Sequence, residues 1–117
     1  MKFDPSVPIY LQVVDAIKND LVTGRILPGD KLPSGRDLAM QYTINPNTAA
    51  RVYQEMDRQQ LCFTKRGMGT FATEDAERIA QLKTEMAEQL LSQFLDGCSA
   101  LGISKDDAIR MIKERTN

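Results

Sequence analysis

Histidine is absent from this 117-residue chain, and so is tryptophan. The lack of histidine removes at once the commonest general base and the commonest metal ligand. The two cysteines, Cys62 and Cys98, stand 36 positions apart. That is no zinc-binding spacing, and two thiols are too few for a secreted disulfide scaffold. No strictly apolar run exceeds three residues, so no membrane-spanning helix and no signal-peptide core is encoded. A cytoplasmic protein without a membrane partner is expected. No G-x-S-x-G, phosphate-binding loop or G-x-G-x-x-G is present, and the adjacent carboxylates Glu74-Asp75 and Asp106-Asp107 lie at predicted helix starts, where the helix dipole explains them. A binding protein is expected rather than an enzyme, with no cofactor and no metal.

What is present is ordinary in bulk. The apolar fraction is 42% and the charged fraction 26%, as in a soluble domain able to bury a core without disulfides. The net charge of −1 hides an asymmetry: residues 1–73 carry +2, residues 74–117 carry −3, and residues 31–66 alone carry +3. A basic stripe for an acidic partner and a solvated surface with chance asymmetry explain these counts equally well.

Periodicity divides the chain in the same place. After Pro8, suited to a helix's first turn, apolar residues recur at helical spacing through Val13 or Val14, Ile17 and Leu21, and the first helix should end near Val22 or Thr23. Gly24 to Pro33 is a loop with a Pro28-Gly29 turn. Ser34 with Asp37 has capping-box spacing and opens a short second helix to about Gln41. Asn45 then reads as an N-cap and Pro46 as the first residue of a third helix, roughly 46–59, whose apolar face is Ala49, Val52, Tyr53 and Met56. Two short strands, Leu61–Lys65 and Thr70–Thr73, are joined by Arg66-Gly67-Met68-Gly69 as a hairpin. From Glu74 a long helix is predicted to end near Gly97, and Cys98 is expected beyond it. A last helix follows Ser104, whose partner in a second capping box is Asp107.

Three helices followed by a β-hairpin is the order of a winged helix-turn-helix, so the expected class is mainly α, with two C-terminal helices appended. The third helix would then be the recognition helix, its N-terminal end at base edges. Asn45, Asn47 and Thr48 can hydrogen-bond bases or phosphates, Arg51 lies one turn on, and the free N–H groups at the helix start can hold a phosphate. Lys65 and Arg66 at the wing tip would reach backbone or minor groove, and Gly67 and Gly69 would let the wing backbone come close.

The sequence resembles the GntR family of bacterial transcription regulators. The resemblance rests on Pro8-Ile9-Tyr10 with Gln12, on the run from Gly24 through Ser34 with Arg36, Leu38 and Ala39, on Asn45-Pro46-Asn47-Thr48 with Tyr53 and Met56, and on Gly67-Met68-Gly69-Thr70-Phe71. It implies sequence-specific binding of an operator in double-stranded DNA. It also implies DNA contacts from Arg36, from the segment Asn45, Pro46, Asn47 and Thr48, and from the wing around Gly67. Many members carry Ser-Arg where Asn45-Pro46 stands and an acidic residue where Gly35 stands, so one common arginine contact is lacking. The Asn-Pro-Asn-Thr run is similar to the YtrA-like subgroup.

The expected organisation is a winged domain over 1–73 and a helical dimerisation region over 74–117. The latter is too short to enclose a sizeable ligand pocket alone. Its stripe Ile79, Leu82, Met86, Leu90 and Phe94 could pack on its own winged domain or on a second copy. The homodimer is favoured because it fits two-fold operators, with half-sites about 10 base pairs apart. Repression by promoter occupancy is the default expectation. A winged module that binds protein and not DNA is the alternative. A small-molecule effector is left open, since no residue set names its chemical class. Both cysteines read as structural thiols before redox sensors.

Overall fold

The computed structural model describes residues 1–115. The chain divides into two compact units, Met1–Leu82 and the residues from Lys83 onward.

In the first unit, α1 spans Ile9–Thr23, α2 Gly35–Tyr42 and α3 Pro46–Arg58. Pro8 stands just before α1, in the N-cap position rather than within the first turn. Gln12 ties the preceding segment down: its side-chain amide donates to the carbonyls of Asp4 and Val7 at 2.8 and 2.9 Å and accepts from the Asp4 N–H at 2.9 Å. The apolar spacing of α1 matches its buried side, Val13, Val14, Ile17 and Leu21, and on α3 Ala49, Val52 and Met56 are buried while Tyr53 is half-buried; α2 adds Leu38 and Ala39 to the core. Both α1 and α2 pack against α3. Each larger side chain so buried contributes about 1.5–3 kcal/mol.

The α2–α3 turn is short because α2 closes on itself. Thr43 takes the left-handed conformation (φ 54°), and the Ile44 N–H reaches back to the Ala39 carbonyl at 2.9 Å. This Schellman closure satisfies end carbonyls of α2. The Ser34 hydroxyl accepts from the Asp37 N–H at 3.1 Å, as the Ser-x-x-Asp spacing predicts.

Strands β1 (Cys62–Lys65) and β2 (Gly69–Ala72) pair antiparallel, with Phe63 opposite Phe71 and Lys65 opposite Gly69. Sequence reasoning does not anticipate a third participant. The Leu32 N–H donates to the Thr70 carbonyl and the Ala72 N–H to the Asp30 carbonyl, both at 2.8 Å, and Lys31 bridges Phe71. The loop between α1 and α2 thus lines the outer edge of β2.

Helix α4 runs Ala76–Ala100 and does not stop near Gly97. A helical glycine costs about 1 kcal/mol against alanine, which does not by itself end a long helix. The stop comes at Gly102 (φ 76°), where the Ile103 N–H returns to the Cys98 carbonyl at 2.8 Å. Cys98 therefore lies inside α4, where it is buried. At the other end, the Asp75 carboxylate accepts from the N–H groups of Glu77 and Arg78 at 3.0 and 3.2 Å. Arg78 donates to the Gln59 carbonyl at 3.0 Å, fastening the start of α4 to the end of α3 within the first unit.

The second unit comprises the later turns of α4 and helix α5, Lys105–Glu114, capped by Ser104 through the Asp107 N–H at 3.1 Å. Its buried apolar side chains are Cys98 and Ala108, while Leu90, Leu91, Phe94, Leu101, Ile109, Met111 and Ile112 are exposed. Among the described residues, no helix is long and apolar enough to cross a membrane.

Candidate nucleic-acid interface

The start of α3 is built by Asn45 and Pro46. Asn45 Oδ1 accepts from the Asn47 N–H at 2.8 Å, and the Asn45 carbonyl accepts from the Ala49 N–H at 3.0 Å. Pro46 has no N–H to offer. Of the first-turn donors, the Thr48 N–H is left for an outside acceptor, so the helix-start phosphate site reduces to one amide. The Asn45 side chain is first a cap, and only its amide NH2 stays available for a base or phosphate.

Down the outer side of α3, Asn47, Ala50, Arg51, Gln54 and Arg58 are exposed. Two of these have internal partners. The Arg51 guanidinium lies 4.0 Å from the centre of the Tyr10 ring of α1, a cation–π contact of about 0.5–1 kcal/mol at an exposed site. Arg58 is clasped by Glu55 (Nε to Oε1 3.1 Å), and hydrogen bonds from Arg58 and Gln59 draw the Glu55 carboxyl down to about 2. Arg36 differs from both. It sits in the first turn of α2, the end of a helix dipole that disfavours cations, exposed and without an ion-pair partner among the described residues.

On the wing, the Phe63 and Phe71 rings stack across the strands with centres 5.9 Å apart. The Lys65 ammonium lies 5.0 Å from the Phe71 ring and 5.8 Å from Phe63. Gly67 (φ 77°) and Gly69 (φ 120°) shape the tip beside exposed Arg66. Lys31 joins this group through its bridge to Phe71, and its Cε stands 3.0 Å from where a Cβ on Gly69 would be. Lys31 falls within the basic stretch of residues 31–66, but the sequence does not mark it as a site residue. Its place depends on residues 30–32 pairing with β2, which no local pattern announces.

Two further groups hold the interface in shape. The Tyr53 hydroxyl donates to the Pro33 carbonyl, locking α3 to the approach to α2, and burial raises its pKa. Beneath it, burial pushes the Cys62 thiol up to about 11, the reverse of what a reactive sensor needs. No cluster of potential metal ligands exists among the described residues. Of the stripe expected to dimerise, Leu82 is buried in the first unit and Ile79 and Met86 are half-buried, while Leu90 and Phe94 are exposed.

Three helices, a tight α2–α3 turn and a two-stranded wing define a winged helix-turn-helix protein of the DNA-binding class. The family model for bacterial regulatory proteins of the gntR family matches residues 9–72, and the chain belongs to that family of DNA-binding transcription regulators. It is 44% identical over 115 residues to the uncharacterized HTH-type transcriptional regulator YhcF of Bacillus subtilis, covering 98% of this chain and 95% of YhcF. It is 35% identical over 117 residues to the HTH-type transcriptional repressor YtrA of the same organism, covering 97% and 90%, which supports the YtrA-like resemblance. A solved GntR family transcriptional regulator from Listeria monocytogenes superposes with a TM-score of 0.89 at 42% identity, covering 97% of this chain and all of that one.

Proposed function

We propose that the protein acts in the cytoplasm as a homodimeric repressor, each protomer placing α3 in one of two successive major grooves of a palindromic operator. The observation that carries this reading is the conjunction, in one winged unit, of the exposed polar side of α3 with a wing bearing Lys31, Lys65 and Arg66. Arg36, Lys31, Lys65 and Arg66 hold phosphates, while Asn47, Thr48 and the Asn45 amide read base edges. Arg51 reaches a base by leaving Tyr10. Pro46 fixes the helix start, and Gly67 and Gly69 bring the wing backbone close.

The partner for the second unit is a second copy. Two helices with only Cys98 and Ala108 buried among their described apolar side chains expose Leu90, Phe94, Ile109 and Ile112, each worth about 1.5–3 kcal/mol on full burial. Ile79 and Leu82 serve the first unit. A two-fold axis through the second unit matches the symmetry of a palindrome. The net −3 of residues 74–117 suits a region facing away from DNA. Repression is supported by the relative YtrA, named a repressor.

The test is a selection of genomic fragments by the purified protein, then affinity for the enriched site across salt concentrations. An inverted repeat bound by a dimer with a steep salt dependence is expected. Arg36→Ala should weaken operator binding and leave thermal unfolding unchanged. Sequence-blind binding by the wild type, or full operator affinity in folded Arg36→Ala, would overturn the assignment.

A further inference from the structure

A cleft of about 300 Å³ opens between the last turns of α1, the loop from Arg25 to Pro33, and α2. That is the small end of the range for ligand sites, roughly 300–1,000 Å³. Of the residues assigned to DNA above, it shares only Lys31. Its apolar lining includes Ile17, Leu32 and Leu38, all buried, and its polar groups include Asp20, Tyr42 and Arg25.

The polar groups are poorly served by the protein itself. The Asp20 side chain is 29% exposed, and its nearest cation is the Arg25 guanidinium at 3.7 Å, 78% exposed. A pair that long and solvated contributes little. No hydrogen bond reaches the Asp20 carboxylate or the Tyr42 hydroxyl among the described residues. Burial, and then the nearby Asp20 charge, raise the Tyr42 pKa, so the phenol stays protonated. A half-covered carboxylate near a phenol, both open to water above an apolar floor, has no N–H donor from the protein among the described residues. An ammonium group supplies three. An anion would meet Arg25 and Lys31 as well as Asp20 and Asp30 but would leave the Asp20 carboxylate without a donor, and a neutral hydrocarbon would leave it unmatched too.

We infer that this cleft binds a small organic ammonium compound, its N–H groups on Asp20 and Tyr42 and a short hydrocarbon body on Ile17, Leu32 and Leu38. Free amines and amino acids share that chemistry. Arg25 tells them apart, because release from Asp20 leaves its guanidinium for a carboxylate. The site touches the helix-turn-helix directly: Tyr42 is the last residue of α2, immediately before Thr43, whose left-handed backbone turns the chain toward α3. An occupant that binds the DNA-competent arrangement differently from the free one changes operator affinity, and operator changes its affinity by the same factor.

The experiment is titration calorimetry on the full chain without DNA, using 3-methylbutylamine, leucine and 4-methylpentanoate, which share one carbon body. Straight-chain primary amines of three to eight carbons extend the series. At least one ammonium compound should bind saturably at millimolar concentration or below, and 4-methylpentanoate should not. Asp20→Asn should weaken binding about tenfold or more, and Tyr42→Phe several-fold, both with unchanged thermal unfolding. Arg25→Ala should weaken leucine while sparing the amines. Absence of saturable heat from every ammonium compound, equal binding of 4-methylpentanoate, or unchanged binding in folded Asp20→Asn would each overturn the inference. The coupling rests on the proposed operator function, but the calorimetry does not, so failure of one is distinguishable from failure of the other.

Discussion

Gly67 and Gly69 allow the wing to be tested with a matched pair of substitutions. Gly67 lies at φ 77° with open space around a would-be Cβ, so Gly67→Ala should incur only the left-handed penalty, a destabilisation of about 1–2 kcal/mol. Gly69 lies at φ 120°, and its Cβ would meet Lys31 Cε at 3.0 Å. Its backbone region costs an L-residue roughly 1–3 kcal/mol, and Lys31 must also move. The obstacle is the far end of a flexible chain, so this second effect should register in where the Lys31 ammonium sits rather than in stability. Urea denaturation reads the first effect, and operator affinity against salt reads the second. Losing one phosphate contact lowers the salt slope by about 1. Gly69→Ala and Lys31→Ala should each lower the slope by that amount, the double variant should lower it no further, and Gly67→Ala should leave it unchanged. A wild-type slope in Gly69→Ala, or additive losses in the double variant, would refute the placement of Lys31 on phosphate.

Three further outcomes are expected. Asn45→Ala should cost about 1 kcal/mol of stability, whereas Asn45→Asp should keep the cap and the stability but weaken operator binding through its charge; equal destabilisation by both would remove the cap from the account. Stability should fall at both ends of the pH scale, measured as urea midpoints. Glu55, drawn from 4.5 to about 2, contributes above pH 4.5 and is lost as pH falls toward 2. Cys62, pushed from 9.0 to about 11, contributes fully below pH 9 and is lost as pH rises toward 11. An alkaline limb identical in Cys62→Ala would discard the thiol as a cause. Leu90→Glu with Phe94→Glu should sediment as a folded monomer, and a surviving dimer would place the interface elsewhere.

The local parts of the fold are legible in the sequence because their causes are local. Asn45-Pro46 starts α3 and Ser34 caps α2 through contacts within a few residues, and the apolar spacing of Val13, Ile17 and Leu21 fixes the buried side of α1. Gly97 misleads because one helical glycine is a modest penalty set against a helix that continues to a proper stop at Gly102. The site is legible where it sits on a helix start or hairpin tip and obscure where it depends on distant pairing. Lys31 is placed by β2, Arg51 by Tyr10, and the Tyr53 hydroxyl by Pro33. None of these partners is near in sequence, so periodicity carries no trace of them.

The edge formed by residues 30–32 has a consequence for engineering. The wing is an assembly of two stretches, since Asp30 and Leu32 exchange backbone hydrogen bonds with β2 and Gly29 donates to the carbonyls of Ala72 and Thr73 at 3.1 Å. A chimaera that grafts another regulator's hairpin over residues 62–72 alone would set a foreign strand against this native edge. Transplanting specificity would therefore require residues 29–33 to travel with the hairpin. A length change in the loop after α1 would then act as a wing mutation, though it lies far from the wing in the chain.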